Sequence, residues 1–448
     1  MNIKGILRED FIRNVLKLSA SSTLLTFVPI IVTPILSRLY SPEDYAEWGV
    51  FSSVYYIVNS FIFLSYENTI VKTNKREELP SLITLCLIIC TLISVVTFII
   101  FKLGKLLGWM FFIEFPSELL LFFTLLSTSY YTIVYSFANR ERCFSSMSVA
   151  NIINGAGQAS IRILLGIIPI VAHGLIWGNA LAHILSFLFI FICLINRIKA
   201  LDWARVKISE IKKVFEKNIK FLKFDAPARF IEFLVGNLSI IILANFFSGN
   251  EIGCFSMSIQ LVLLPITMIG SAMGNVYYSE ISENCDDSNA VKKSTVRVSK
   301  ICFYMSLIPI LLISLGLDKF MPILLGEKWA DAGKILLCLS IYSLPVILTE
   351  PLLPAFRALN CQEKRFYYNI FNVIFALGGL LLACMFFYNL YICLIIYSIA
   401  FAMVRFVMFN HILRITGVRL GEINIFLKIS ILAVYCVLVL RMIFTFFL

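Results

Sequence analysis

Arg162 lies in a long apolar run and is preceded by Asn151, Asn154 and Gln158 at intervals of three and four. On a helix these intervals place all four side chains on one face. A guanidinium is a planar fork of donors that matches phosphate or carboxylate oxygens. A second group, Asp225, Arg229 and Glu232, is spaced by four and three, so its charges can pair along one face. Asn59 and Glu67 mark the end of another apolar run. Gln260 and Asn275 share a third with Ser256, Thr267 and Ser271. A charge at mid-membrane costs about 2.5–3.5 kcal/mol on insertion scales and is kept for a reason. Arg162, Asn154, Gln158, Asn59, Arg229, Gln260 and Asn275 are therefore candidate substrate contacts, and Glu67, Asp225 and Glu232 candidate gating or coupling groups. The competing readings are a self-satisfied ion cluster for residues 225–232 and helix bracing for Arg162.

No pattern of covalent or metal chemistry accompanies them. The three His are far apart, no Ser/His/Asp set or phosphate-cradling Gly loop is present, and the twelve Cys are scattered without C-x-x-C pairs. They read as small buried hydrophobes. Neither a catalytic residue, a metal site nor a cofactor is expected.

These residues must be carried by helices that cross a lipid bilayer. The chain is 60% hydrophobic and only 15% charged, with 40 Phe in 448 residues; soluble domains have about 25% charged residues. About 20 apolar residues span the hydrocarbon. Spans are expected at 16–37, 48–66, 81–101, 119–138, 148–169, 175–195, 225–247, 254–277, 301–316, 335–356, 367–387 and 391–412, with a thirteenth apolar segment at 424–447. The runs are long and lack the alternation of a membrane barrel, so the fold is all-α. The first run is too long and lacks the cleavage pattern of a signal peptide. With the N-terminus cytoplasmic, 28 of the 38 Lys and Arg fall in cytoplasmic connections, Arg405 counted among them, and six on the other side. That bias sets the orientation. It also accounts for the net charge of +11 without nucleic acid.

The longest polar connection divides the chain. Residues 1–196 form one six-helix half, 197–223 a basic linker, 224–414 a second half, and 415–448 the extra segment. Inside the linker Ile208, Ile211, Val214, Phe215 and Ile219 recur at helical spacing, which predicts an amphipathic helix on the anionic leaflet. The halves resemble each other. Leu39-Tyr40-Ser41-Pro42-Glu43-Asp44-Tyr45-Ala46 matches Phe246-Phe247-Ser248-Gly249-Asn250-Glu251-Ile252-Gly253 in type, and the exits Ala138–Phe144 and Ala358–Phe366 also correspond. An even number of helices per half implies a parallel repeat, with the site expected between the halves.

The run Pro34-Ile35-Leu36-Ser37-Arg38-Leu39-Tyr40-Ser41-Pro42-Glu43-Asp44-Tyr45 resembles the first-helix signature of Wzx-type polysaccharide flippases. Tyr66-Glu67-Asn68-Thr69-Ile70-Val71, Phe224-Asp225-Ala226-Pro227 and the segment from Asn245 to Ile266 extend the resemblance across helices 1 to 12. The thirteenth segment departs from the usual twelve-helix plan. The resemblance implies a MATE-like fold in the cell inner membrane. It further implies a lipid-linked oligosaccharide on undecaprenyl diphosphate as substrate, moved from the cytoplasmic to the periplasmic leaflet by alternating access. An H+ or Na+ coupling ion and the polysaccharide polymerase machinery are the partners it implies beyond membrane lipids. A cation-coupled drug antiporter of the MATE branch shares the fold but needs deep acidic groups, and the N-terminal half has no mid-span Asp or Glu. A lipid-linked sugar polymerase or ligase, an enzyme, normally has a large periplasmic loop, and no such loop is found. A purely structural scaffold would not need polar faces on five helices.

The orientation is testable. In Lys212→Cys and Asn250→Cys variants, a membrane-impermeant thiol reagent added from outside is expected to label position 250 and spare position 212. The reverse pattern would overturn the topology.

Overall fold

A computed structural model describes residues 25, 27–73, 75–168, 172–219, 221–283, 287–359, 361–419, 422 and 441. Helices dominate, and no strand occurs among the described residues. The principal helices are α1 (Phe27–Leu39), α2 (Pro42–Phe61), α3 (Leu79–Leu106), α4 (Glu118–Arg140), α5 (Phe144–Ile167), α6 (Gly174–Lys199), α7 (Ala226–Ala244), α8 (Gly249–Glu283), α9 (Ser288–Leu315), α10 (Ala330–Thr349), α11 (Gln362–Phe387) and α12 (Leu390–Ile415). Each overlaps one of the twelve expected spans. Eight of the described helical segments are long and apolar enough to cross a membrane; α2 and α5 fall at expected positions but are too polar to be among them. The thirteenth segment, 424–447, lies outside the described residues except at Arg441.

The chain groups into two compact units, one from residues up to 40 and 50–233, the other from 41–49 and 234–448. In the first, α4 packs on α3 and α6, and α5 on α6. The outer face of α3 presents Ile88, Leu92, Val95, Val96, Ile99 and Leu103, an apolar stripe of the kind a bilayer covers. In the second unit α10 is the hub, packed by α8, α9 and α12. Ile335, Leu337, Leu339, Ile347 and their neighbours are buried all around it, as expected for a helix apolar on every face.

The two related segments noted in the sequence start their helices by the same device. The Ser41 N–H donates to Asp44 Oδ2 at 2.8 Å, and the Asp44 N–H to Ser41 Oγ at 3.2 Å. At α8 the Ser248 N–H donates to Glu251 Oε2 at 3.0 Å, and the Glu251 N–H to Ser248 Oγ at 3.4 Å. Both are capping boxes that satisfy donors the helix leaves open. The exits correspond too. The Cys143 N–H returns to Ala138 O at 2.9 Å and the Cys361 N–H to Phe356 O at 2.7 Å, the six-residue bond that closes a helix C-terminus.

The linker contains a helix, Ile208–Lys217. Its apolar side is turned onto the first unit. Val214 is buried and the Phe215 ring stacks on Tyr66 at 5.4 Å. Ile208, Lys212 and Lys213 stay exposed.

Inside the second unit α2 and α8 meet at their N-terminal ends. A Cβ on Gly253 would lie 1.7 Å from Pro42 O, whereas one on Gly236 in α7 would meet nothing within 4 Å. Gly253→Ala must separate two backbones. It is expected to lower thermal stability by about 1–3 kcal/mol or more, the usual cost of overpacking. Gly236→Ala should be neutral or slightly stabilising, since Ala outranks Gly in helices. Melting of the purified variants in detergent checks both, and equal melting temperatures would refute the close approach.

Candidate functional site

The face of α5 that carries Asn151, Asn154, Gln158 and Arg162 is turned into the first unit, toward α4 and α6, where each described bond it makes is to a polar group. Asn151 Oδ1 accepts from the Tyr131 hydroxyl, and its Nδ2 donates to the Tyr135 hydroxyl, both at 3.1 Å. Gln158 Nε2 donates to Asn179 Oδ1 at 2.9 Å. The Asn179 carbonyl in turn shares a 2.8 Å hydrogen bond with His183 Nδ1. His183 packs edge-on against Tyr131, with ring centroids 5.9 Å apart. Asn154 Nδ2, Asn179 Nδ2 and, on α2, Asn59 Oδ1 are buried without a hydrogen-bond partner among the described residues. A buried amide left unpaired in this way costs about 1–3 kcal/mol, so water or a ligand is the natural partner.

Arg162 has a built seat. Its side chain crosses α6 at Gly178, where a Cβ would come within 2.4 Å of Arg162 Cγ. Its Nε donates to Leu175 O at 3.1 Å. The Tyr40 hydroxyl donates to the Arg162 carbonyl at 2.7 Å, and the Tyr40 ring fits over Gly166 and Gly174. Three glycines on two helices therefore make room for one arginine and one tyrosine.

The second group is arranged differently from its sequence spacing. Arg229 Nη1 donates to Glu67 Oε1, a carboxylate on the short helix Glu67–Lys72. Asp225 and Glu232, the neighbours available along its own helix, are exposed. Glu67 is 7% exposed, and its Oε2 is buried with no partner among the described residues. The turn before it holds Leu64 at φ 50° and Ser65 at φ 65°, left-handed positions that cost a side-chain-bearing residue free energy. Next to this turn the Tyr66 hydroxyl donates to Phe215 O at 3.0 Å. Lys217 Nζ donates to both Glu78 oxygens at 2.8 and 2.9 Å, and Lys72 lies 4.8 Å over the Phe221 ring. The connection from 208 to 229 is thus fastened to residues 66–78 at four points.

Gln260 is half-buried and Asn275 exposed on α8, in the second unit; Asn59, Asn154, Gln158 and Arg162 all belong to the first. Sequence reasoning missed Tyr40, Tyr131, Tyr135, Asn179 and His183. Asn179 and His183 share one face of α6 at an interval of four, a signal that was available. It also missed Glu350 and Arg405. Arg405, counted with a cytoplasmic connection, lies inside α12 instead, with 12% of its side chain exposed. Its Nη1 is 2.9 Å from Glu350 Oε1, and it lies 5.2 Å over the Phe401 ring. The partner acid sits at the proline-flanked break after α10, and burial of the pair explains why a cation can remain within a span.

Hydroxyls, amides and a guanidinium in an apolar unit can hold polar or anionic matter through hydrogen bonds. Helices of this number and length, with polar faces turned inward, define a multi-pass membrane protein. The fold agrees with solved structures of that type. An inward-facing MATE-family multidrug resistance transporter of the MOP superfamily aligns with a TM-score of 0.69 at 14% identity, covering 90% of this chain and 98% of that one. The lipid II flippase MurJ in an inward closed conformation aligns with a TM-score of 0.63 at 14% identity, covering 96% and 98%. The chain belongs to the polysaccharide biosynthesis protein family, whose model matches residues 35–334. The teichuronic acid biosynthesis protein TuaB of Bacillus subtilis (strain 168) is 24% identical over 151 residues. That match spans 33% of this chain and 31% of TuaB.

The Glu67–Arg229 pair can be isolated by a double-mutant cycle. Arg229→Ala is expected to destabilise the protein more in the presence of Glu67 than in a Glu67→Gln background, with a coupling of about 1–3 kcal/mol in melting experiments. Strictly additive effects would show that the pair contributes nothing.

Proposed function

We propose that this protein moves a lipid-linked oligosaccharide across the membrane, from the cytoplasmic to the periplasmic leaflet, during assembly of a surface polysaccharide. The observation that carries the reading is the polar face of α5 with its orphaned amides inside an apolar unit, in a chain of this family. The oligosaccharide head offers hydroxyls to Asn59, Asn154, Gln158 and Asn179. The diphosphate offers anionic oxygens to Arg162. The polyprenyl tail needs no protein shelter, since it stays soluble in the bilayer. Membership of the polysaccharide biosynthesis family and the MurJ-like fold support transport of a lipid carrier, and the teichuronic acid relative supports a sugar polymer as its end. This movement requires no covalent step, and the reading is of a transporter.

The linker fastening supplies a candidate gate. Movement of Arg229 away from Glu67 would strand a buried carboxylate, so the closed arrangement is held until another group or a proton satisfies it. Gln260 and Asn275 remain proposed contacts on α8. The drug-antiporter reading is less favoured, because Glu67 and Glu350 are each bridged to an arginine, whereas a cation site needs carboxylates with charge to spare.

Reconstituted vesicles holding a fluorescent polyprenyl-diphosphate sugar test the proposal. The wild-type protein is expected to bring the inner-leaflet probe pool to the outer leaflet, where added dithionite quenches it. Arg162→Ala should lose most of the rate and Arg162→Lys should keep part of it, because Lys retains the charge but not the bidentate fork. Unchanged movement by Arg162→Ala at equal protein level would sink the site assignment, and no movement by the wild type would sink the function.

A further inference from the structure

A cleft of about 410 Å³ opens between α11 and α12 and is lined by Tyr368, Val407, Asn410, His411 and Arg414. It lies in the second unit and shares no residue with the α5 network. We propose that it binds the phosphate headgroup of an anionic membrane lipid.

The lining is built of hydrogen-bonding groups and includes no acid. Tyr368 anchors it, since its hydroxyl shares a 2.8 Å hydrogen bond with His411 Nδ1. The His411 ring is held edge-on by Tyr368 at 5.7 Å and by Phe356 at 6.3 Å. This fixes the imidazole rather than leaving it to swing. Asn410 Oδ1 is buried without a partner among the described residues. A half-turn about its last bond would offer the amide donor at the same place. The guanidinium of Arg414 stands exposed, and Lys364 as well as Arg414 acts electrostatically on His411. Two basic side chains, His411 and Arg414, thus line one cleft with a hydroxyl and an amide, and Lys364 adds its charge from nearby.

The location selects a lipid over a soluble anion. Arg414 is in the last turn of α12 and Lys364 in the first turn of α11, the depth at which charged side chains meet headgroups cheaply. Val407 in the cleft and the flanking Phe406, Tyr367 and Phe371 are exposed. They offer acyl chains an apolar wall directly below the basic groups. Basic pockets between membrane helices hold anionic headgroups in this way. A bound lipid would bridge α11 and α12 and satisfy Asn410, and so stabilise the second unit. This inference is independent of what the protein transports.

Native mass spectrometry and melting of the purified full-length protein test it, with phosphatidylglycerol, phosphatidylcholine and inorganic phosphate as probes. Phosphatidylglycerol is expected to be retained and to raise the melting temperature, while the other two do neither. Arg414→Gln should weaken phosphatidylglycerol retention about tenfold, the scale of one lost charged hydrogen bond. Tyr368→Phe, a smaller change that keeps the ring, should weaken it less but measurably. Equal retention of both phospholipids would overturn the proposal, as would equal stabilisation by inorganic phosphate. Retention of phosphatidylglycerol by both variants at the wild-type level would place the lipid elsewhere and overturn it too.

Discussion

A polar group surrounded by hydrocarbon has no water to fall back on, so each one inside this chain must be met by another part of the chain or by something bound to it. That constraint shapes both units. Gln158 reaches Asn179, Asn151 reaches two tyrosines, Arg162 reaches a backbone carbonyl across a glycine, and Arg405 reaches Glu350. Helices α4, α5 and α6 are thereby tied by hydrogen bonds whose loss would be expensive. Apolar packing alone would bind them weakly, because lipid tails are as apolar as Leu and offer little drive for helices to associate. The amides of Asn59, Asn154 and Asn179 each keep a buried atom without a partner among the described residues.

The same constraint makes the pair of Glu67 and Arg229 more than an ornament of the surface. Glu67 is almost wholly buried, while its partner retains 41% side-chain exposure. The acid therefore depends on the arginine more than the reverse. The carboxylate follows a left-handed turn at Leu64 and Ser65; the linker helix is pinned alongside by Tyr66 and Glu78, and Phe221 just beyond it by Lys72. Strain, a buried charge and the connection between the two halves of the sequence meet at residues 64–78. The contact is stable as it stands and costly to open, because parting it would leave a buried carboxylate unpaired.

Much of the architecture was legible in the residues. Sixty percent apolar composition and apolar runs of about 20 residues demand membrane helices, and twelve helices lie where the runs are, eight of them long and apolar enough to cross a membrane. The shared pattern at Ser41–Asp44 and Ser248–Glu251 was visible as similarity. Its reason, a reciprocal cap, is local chemistry that four consecutive residues decide. The α5 face was legible for the same reason, because helical periodicity assigns residues 151, 154, 158 and 162 to one side whatever lies opposite.

What lies opposite was not legible. Local spacing offered Arg229 the acids at 225 and 232, but a carboxylate 162 residues away in sequence took it. The preference for a partner in the same helix holds only when nothing better is brought near, and a buried acid gains more from the arginine than an exposed one does. Arg405 and Glu350 were overlooked on the same ground, since each looks like an isolated charge until α10 and α12 are packed together. Periodicity and composition, which depend on each residue's own transfer free energy, determined the helices, their membrane setting and their polar faces. Only the tertiary structure decided which charges meet, because pairing depends on distances that the chain sets through packing and not through sequence separation.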